Sequence, residues 1–102
     1  MLRESELERR FVREIKSRGG RSYKWVSPGN DGVPDRIVVL PGGLVLFAEL
    51  KTEAGRLSRR QSVQCEVLRS LECDVEVVRG LAGLDAFLKR IDGMIGGEDD
   101  GV

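Results

Sequence analysis

Histidine is absent from this 102-residue chain, and that absence narrows its chemistry more than any other. Without imidazole there is no Ser-His-Asp triad and no histidine-based nuclease site, and most catalytic zinc sites are excluded. Cysteine is scarce. Cys65 and Cys73 lack any metal-ligand spacing and are expected to be reduced thiols in a cytoplasmic protein. No apolar run approaches the ~20 residues that a membrane helix needs. The charge from Arg3 onward argues against a signal peptide. Net charge is also missing, because 17 basic residues balance 17 acidic ones. Composition therefore does not advertise nucleic acid, although a neutral protein can carry a basic patch. What remains for catalysis is carboxylates, lysine and a borrowed metal. The length allows one domain with one core, expected over residues 1–92. Residues 93–102, glycine-rich and acidic, are expected to form a disordered tail.

What is there is organised around residues 32–51. Two apolar strands within this stretch are joined by Pro41-Gly42-Gly43, a turn composition that predicts a hairpin, and polar residues sit only at its two ends. If those three residues form the turn, Leu40 lies opposite Leu44. The same register then sets Asp35 opposite Glu49, with Cβ atoms roughly 4.5–5.5 Å apart. Lys51, two residues past Glu49, points to the same face. Facing carboxylates repel unless a proton or cation lies between them, and a hard divalent ion suits their oxygens. A two- or four-residue turn would shift the pair by one position and change its face. The bland alternative is a hairpin whose ends carry solvated charges.

Residues 4 to about 18 read as a helix, with Leu7, Phe11, Val12 and Ile15 as its stripe. Glu4 and Glu8 share the buried face, and a glutamate there needs a partner or a metal. Glu8 is better fixed than Glu4. It either joins a site or reaches solvent or an arginine at the stripe's edge. Gly19-Gly20 ends the helix, and Arg21 to Val26 is a short strand with Tyr23 and Trp25 on one face. Residues 27–32 form a loop whose glycines either admit a phosphate backbone or simply make a tight connection. Ser58-Arg59-Arg60-Gln61 fits a capping box, opening a helix to about Leu71 with Val63, Val67, Leu68 and Leu71 inward. Gln61 can thus cap its own helix, so any functional role needs separate grounds. Asp74 to Val78 is a strand and Leu81 to Ile91 a last helix, with Leu84, Phe87, Leu88 and Ile91 as its stripe. The order is helix, strand, strand, strand, helix, strand, helix. Central strands apolar on both faces call for helices on both sides, hence a layered α/β domain with a mixed sheet.

Pro34-Asp35, followed by Glu49-Leu50-Lys51, matches the loose motif of the PD-(D/E)xK nucleases. The surrounding stretches are tighter: Lys24-Trp25-Val26-Ser27-Pro28-Gly29, Gly32-Val33-Pro34-Asp35-Arg36, Pro41-Gly42-Gly43, Phe47-Ala48-Glu49-Leu50-Lys51, Leu57-Ser58 and Gln61. From about Glu4 to Arg79 the chain resembles the VRR-NUC family, in its stand-alone viral and bacterial form. The resemblance implies a restriction-endonuclease-like fold. It implies metal ligation by Asp35 and Glu49, with the Leu50 carbonyl and Glu8 as further candidates. It makes Lys51 the catalytic lysine, Gln61 the family's helix glutamine and Glu8 the first-helix glutamate. Cys65 departs from the usual pattern, where a histidine or other polar residue is common. Glu72 departs too, standing where a glycine usually precedes the fourth strand, which leaves the second helix's cap in question.

The implied activity is Mg²⁺- or Mn²⁺-dependent hydrolysis of DNA, with branched DNA such as four-way junctions as the implied substrate. A cation held by Asp35 and Glu49 would acidify a water and polarise a phosphoryl oxygen, and Lys51 adds charge beside it. Lys24, Ser27, Arg36, Arg56, Arg59 and Arg60, with Arg9 and Arg10, are the expected DNA contacts. The two-fold symmetry of a junction suggests a homodimer, with the last helix and the pair Tyr23 and Trp25 as candidate surfaces, unless both merely cover the sheet. Two other functions compete: a catalytically silent nuclease-like binding or assembly module, and a small structural protein with a salt-bridged hairpin end. Degenerate relatives usually lose a carboxylate or the lysine, and this chain keeps all three.

Overall fold

Pro41-Gly42-Gly43 closes the hairpin of β2 (Arg36–Leu40) and β3 (Leu44–Lys51) in the register expected from the sequence. In the computed structural model, which describes residues 2–96, Gly42 and Gly43 take φ values of 88° and 79°, which glycine adopts without steric cost. The Gly43 amide donates to the Leu40 carbonyl at 3.1 Å. Leu40 then faces Leu44 and Arg36 faces Ala48. One further step in this register sets Asp35 against Glu49.

The remaining elements are α1 (Glu4–Ser17), β1 (Arg21–Lys24), α2 (Arg59–Ser70), β4 (Val75–Arg79) and α3 (Gly80–Gly96), in the expected chain order. The sheet runs β1-β2-β3-β4. Its first three strands are antiparallel, and β4 pairs parallel to β3. A parallel pair needs a crossover, and α2 lies within it. Strand alternation sorts the side chains into two layers. Val38, Leu40, Leu46, Ala48, Leu50 and Val78 join Leu7, Phe11 and Ile15 of α1 and Leu84, Phe87, Leu88 and Ile91 of α3 in one core. Phe11 and Phe87 stack there with ring centroids 5.5 Å apart, a contact of about 0.5–1.5 kcal/mol beyond its burial. The opposite face carries Ile37, Val39, Phe47, Glu49 and Lys51, with α2 alongside. No helix among the described residues is long and apolar enough to cross a membrane.

Two expectations need correction. Val63, Val67 and Leu71 do not face inward; they are 50%, 47% and 68% exposed, while Cys65 is buried. At 3.6 residues per turn, Val63 lies roughly 200° around the helix from Cys65, so the face toward the sheet is the opposite one. The last helix runs to Gly96 rather than Ile91. The expected tail therefore begins inside α3, and residues 97–102 lie outside the described residues. Leu84, Phe87, Leu88 and Ile91 are buried in the chain's own core, and Trp25 packs on Phe47 at 5.2 Å. Those five side chains are engaged within the chain itself, whereas Leu81 of α3 is 36% exposed. Tyr23 stays exposed, as do Val63, Val67 and Leu71.

Glu72 caps α2 in the left-handed conformation that glycine would take, with φ of 66°. Its amide donates to the Arg69 carbonyl at 2.9 Å, and the Cys73 amide reaches Leu68 at 3.0 Å. This pair of bonds is the Schellman cap, formed here without glycine.

Candidate active site

Strand pairing places Asp35 by its backbone before any side chain is considered. The Trp25 amide donates to the Asp35 carbonyl at 2.8 Å, carrying the β1–β2 ladder one residue past the strand ends. Buried Pro34 precedes it and fixes the entry of the chain. From that position the Asp35 amide donates to Glu49 Oε1 at 3.2 Å. In return the Leu50 amide donates to Asp35 Oδ2 at 3.0 Å. Each carboxylate is thus held by the other strand's backbone.

Glu49 is fully buried. Its second oxygen, Oε2, accepts from Gln61 Nε2 at 2.9 Å and lies 3.5 Å from Lys51 Nζ. The other end of the Gln61 amide is occupied too, since Oε1 accepts from the Ser58 amide at 2.8 Å. The Gln61 backbone N–H in turn donates to Ser58 Oγ at 3.1 Å. The capping box and the contact to Glu49 are therefore one arrangement. Ser58 takes the oxygen end of the side chain, which leaves the NH₂ end for Glu49. The two roles weighed from the sequence coexist.

Burial pushes the Glu49 carboxyl up to about 7, and the charge of Asp35 adds to the rise, while Lys51 opposes it. This is the repulsion expected of facing carboxylates, here strengthened by desolvation.

Glu8 lies elsewhere. Its Oε1 accepts from Arg36 Nη2 at 2.5 Å, on the face that carries α1. Of the two environments open to Glu8, the arginine at the stripe's edge is the one realised. Among the described residues, no group of three or more acidic, cysteine or histidine side chains could hold a metal ion. The cluster brought together is Asp35, Glu49, Lys51 and Gln61, with Leu50 joining through its backbone while its side chain is in the core.

No protein-family model matches the chain. A solved structure described as "VRR_NUC domain" superposes with a TM-score of 0.80 at 26% identity, covering 84% of this chain and 94% of that one. The chain shares the fold of that VRR-NUC domain. A curated phage protein, "Putative nuclease p44" of Acyrthosiphon pisum secondary endosymbiont phage 1, is 49% identical over 51 residues. That match spans 50% of this chain and 55% of the relative, so the chain matches about half the length of the curated relative.

Against the VRR-NUC fold, the expected DNA-contacting residues divide. Arg36 is a correction: it is 8% exposed and engaged with Glu8, so its guanidinium is not on a free surface. Arg60 is exposed but paired with Asp31 at 2.5 Å. Ser27 Oγ accepts from Asn30 Nδ2 at 3.1 Å, within its own loop. Lys24, Arg56 and Arg59 are exposed. Gly32 has a structural reason, because a Cβ there would fall 2.6 Å from the Arg60 carbonyl carbon. Only glycine lets this loop lie on the first turn of α2, which favours the tight-connection reading at that position. Sequence reasoning missed Arg79. It faces Lys51 across the β3–β4 pair, and a parallel pairing with a distant strand leaves no local signal.

Proposed function

We propose that this chain is an Mg²⁺- or Mn²⁺-dependent DNA endonuclease. It is structure-specific for branched DNA such as four-way junctions, and acts as a homodimer in the cytoplasm of a bacterium or virus-infected host. The carrying observation is the facing pair Asp35 and Glu49 with Lys51 and Gln61 both against Glu49 Oε2. The nuclease named among its relatives supports the same reading.

The donor set suits the cation. Two carboxylates meet on neighbouring strands, and neither is paired with an arginine among the described residues. Mg²⁺ commonly takes one or two carboxylates and keeps several waters. Asp35 and Glu49 would hold it, with the Leu50 carbonyl as a further donor. A bound divalent cation supplies charge for the phosphate and acidifies a water. The chain's own groups do the rest. Gln61 fixes the rotamer of Glu49, and the Leu50 amide fixes Asp35. Lys51 presents a positive charge where the phosphate gains negative charge during attack. Positioning of this kind matters because misplacement by about 1 Å can cost on the order of a hundredfold in rate.

Two active sites related by a two-fold axis would match the symmetry of a junction, and the exposed ridge Val63, Val67 and Leu71 offers an apolar surface for pairing. One observation favours the silent binding module instead: Glu8 is engaged by Arg36, which leaves two carboxylates rather than three. The test uses purified protein with linear, flap and four-way-junction DNA in Mg²⁺, Mn²⁺ or EDTA, with light scattering on the same sample. Cutting of the junction by a dimer, lost in EDTA and in Asp35→Asn and Lys51→Ala, is expected. Binding of DNA without metal-dependent cutting would establish the silent module. Undiminished cutting by Asp35→Asn would sink the site assignment.

A further inference from the structure

Zero net charge conceals an uneven distribution of cations. Arg3, Arg18, Arg36, Arg60 and Arg90 are each neutralised by a carboxylate. Arg56 and Arg79 are among the other arginines, which form no ion pair among the described residues. Both line one cleft of about 640 Å³, walled by the loop from Glu53 to Leu57 and by the end of β4. That cleft adjoins the acidic site. Arg79 is the register partner of Lys51 in the parallel β3–β4 pair, so both leave the same face of the sheet. Neighbouring strands are about 4.8 Å apart, which sets Arg79 one strand's spacing from the lysine.

The cleft is built by packing. A Cβ at Gly80 would fall 2.4 Å from Glu53 Cγ. The absent side chain lets the Glu53 stem lie against the start of α3, holding the loop beside Arg79. Glu53 brings the cleft's one carboxylate against two guanidiniums, so the lining keeps a positive excess. Guanidinium forks match phosphate oxygens in planar, paired geometry.

We propose that the Arg56–Arg79 cleft is a phosphodiester subsite, holding a backbone phosphate of the DNA strand next to the one at Asp35, Glu49 and Lys51. The assignment rests on the nuclease reading above. The subsite contacts backbone only, so it strengthens binding without regard to sequence.

The test is fluorescence anisotropy of the full chain with two labelled DNAs of unrelated sequence, in EDTA, across a KCl series, with cleavage in Mg²⁺ measured alongside. Arg79→Gln and Arg56→Gln are each expected to weaken both DNAs by the same factor. Each should reduce the slope of log K against log[KCl] by about 0.7–0.9, one phosphate contact. Glu53→Gln is expected to tighten binding, a change of opposite sign that loss of local structure would not produce. Arg13→Gln, on the helix covering the opposite face, is the control and should match the parent. Thermal melting confirms that each variant is folded. If the parent binds and cuts but Arg79→Gln behaves as Arg13→Gln does, the subsite is refuted and the nuclease reading stands. If the parent neither binds nor cuts DNA, both fall together.

Discussion

Replacing Glu49 with glutamine should make the metal-free protein more stable at neutral pH, and by an amount that depends on pH in a defined way. In the folded chain the Glu49 carboxyl is raised from 4.5 to about 7, by burial first and by Asp35 second. At about 1.4 kcal/mol per unit, holding Glu49 ionised costs the fold about 3 kcal/mol. A raised folded-state value means that the folded protein binds the proton more tightly than the unfolded one. Below pH 4.5 both states are protonated and nothing is lost. Between 4.5 and about 7 the unfolded state has released its proton while the folded state retains it, so stability declines as pH rises. Above about 7 both are ionised and the loss is complete. Glutamine has no such titration.

The stability difference between Glu49→Gln and the parent should therefore move by about 3 kcal/mol in the variant's favour from pH 4.5 to pH 8. For a domain of this size that corresponds to a shift in the melting-temperature difference on the order of 15 °C. Circular dichroism melts in EDTA at half-unit pH steps would measure it. Mg²⁺ should remove the slope in the parent, because a bound cation favours the ionised pair. At a hundredfold excess over its Kd it would stabilise the parent by about 2.7 kcal/mol, and Glu49→Gln much less. A parent-to-variant difference that stays constant with pH would refute the claim that Glu49 is buried against Asp35. A slope that Mg²⁺ leaves untouched would count against the cation site alone.

Gln61→Glu keeps an acceptor for the Ser58 amide but replaces the NH₂ that meets Glu49 with a third carboxylate. It should cost about 1.5–3 kcal/mol at pH 8, the value of a hydrogen bond to a charged group, and less at pH 5, with cutting lost; melts at both pH values and a cleavage assay test this. Glu72→Gly should stabilise the protein by about 0.5 kcal/mol. Relief of the left-handed conformation, about 1–2 kcal/mol, is partly offset by the greater freedom of glycine in the unfolded chain. Urea denaturation reads this out as a higher midpoint at unchanged slope.

The hairpin was legible because its register is set locally. Pro41-Gly42-Gly43 determines which residues face each other, and Asp35, Glu49 and Lys51 follow by counting. The orientation of α2 was not legible. Val63, Val67 and Leu71 make the stronger apolar pattern, yet the helix turns Cys65 toward the sheet and Gln61 toward Glu49. A periodicity argument assumes that hydrophobic burial dominates. Here a polar contact to a buried carboxylate at the first turn fixes the rotation, and the apolar residues are left outside. Glu8 was not decided by the sequence: a place in the site and a place at the stripe's edge beside an arginine both stood open, and nothing near Glu8 in the chain reveals Arg36, its partner from β2.

The same polar contact explains why the cap of α2 and the acidic site belong together. A glutamine that only capped would fix where the helix begins and leave it free to rotate over the sheet. A glutamine that only touched Glu49 would leave the helix start unpaired. Because Ser58 takes the oxygen of the amide and Glu49 the nitrogen, one side chain sets both the start of α2 and its rotation about its axis. The loop from Thr52 to Leu57 must then span a fixed gap between Lys51 and Ser58, and that loop forms one wall of the Arg56–Arg79 cleft. Disturbing Gln61 should therefore reach the cleft as well as the carboxylates, whereas disturbing Arg79 should leave the carboxylates as they are.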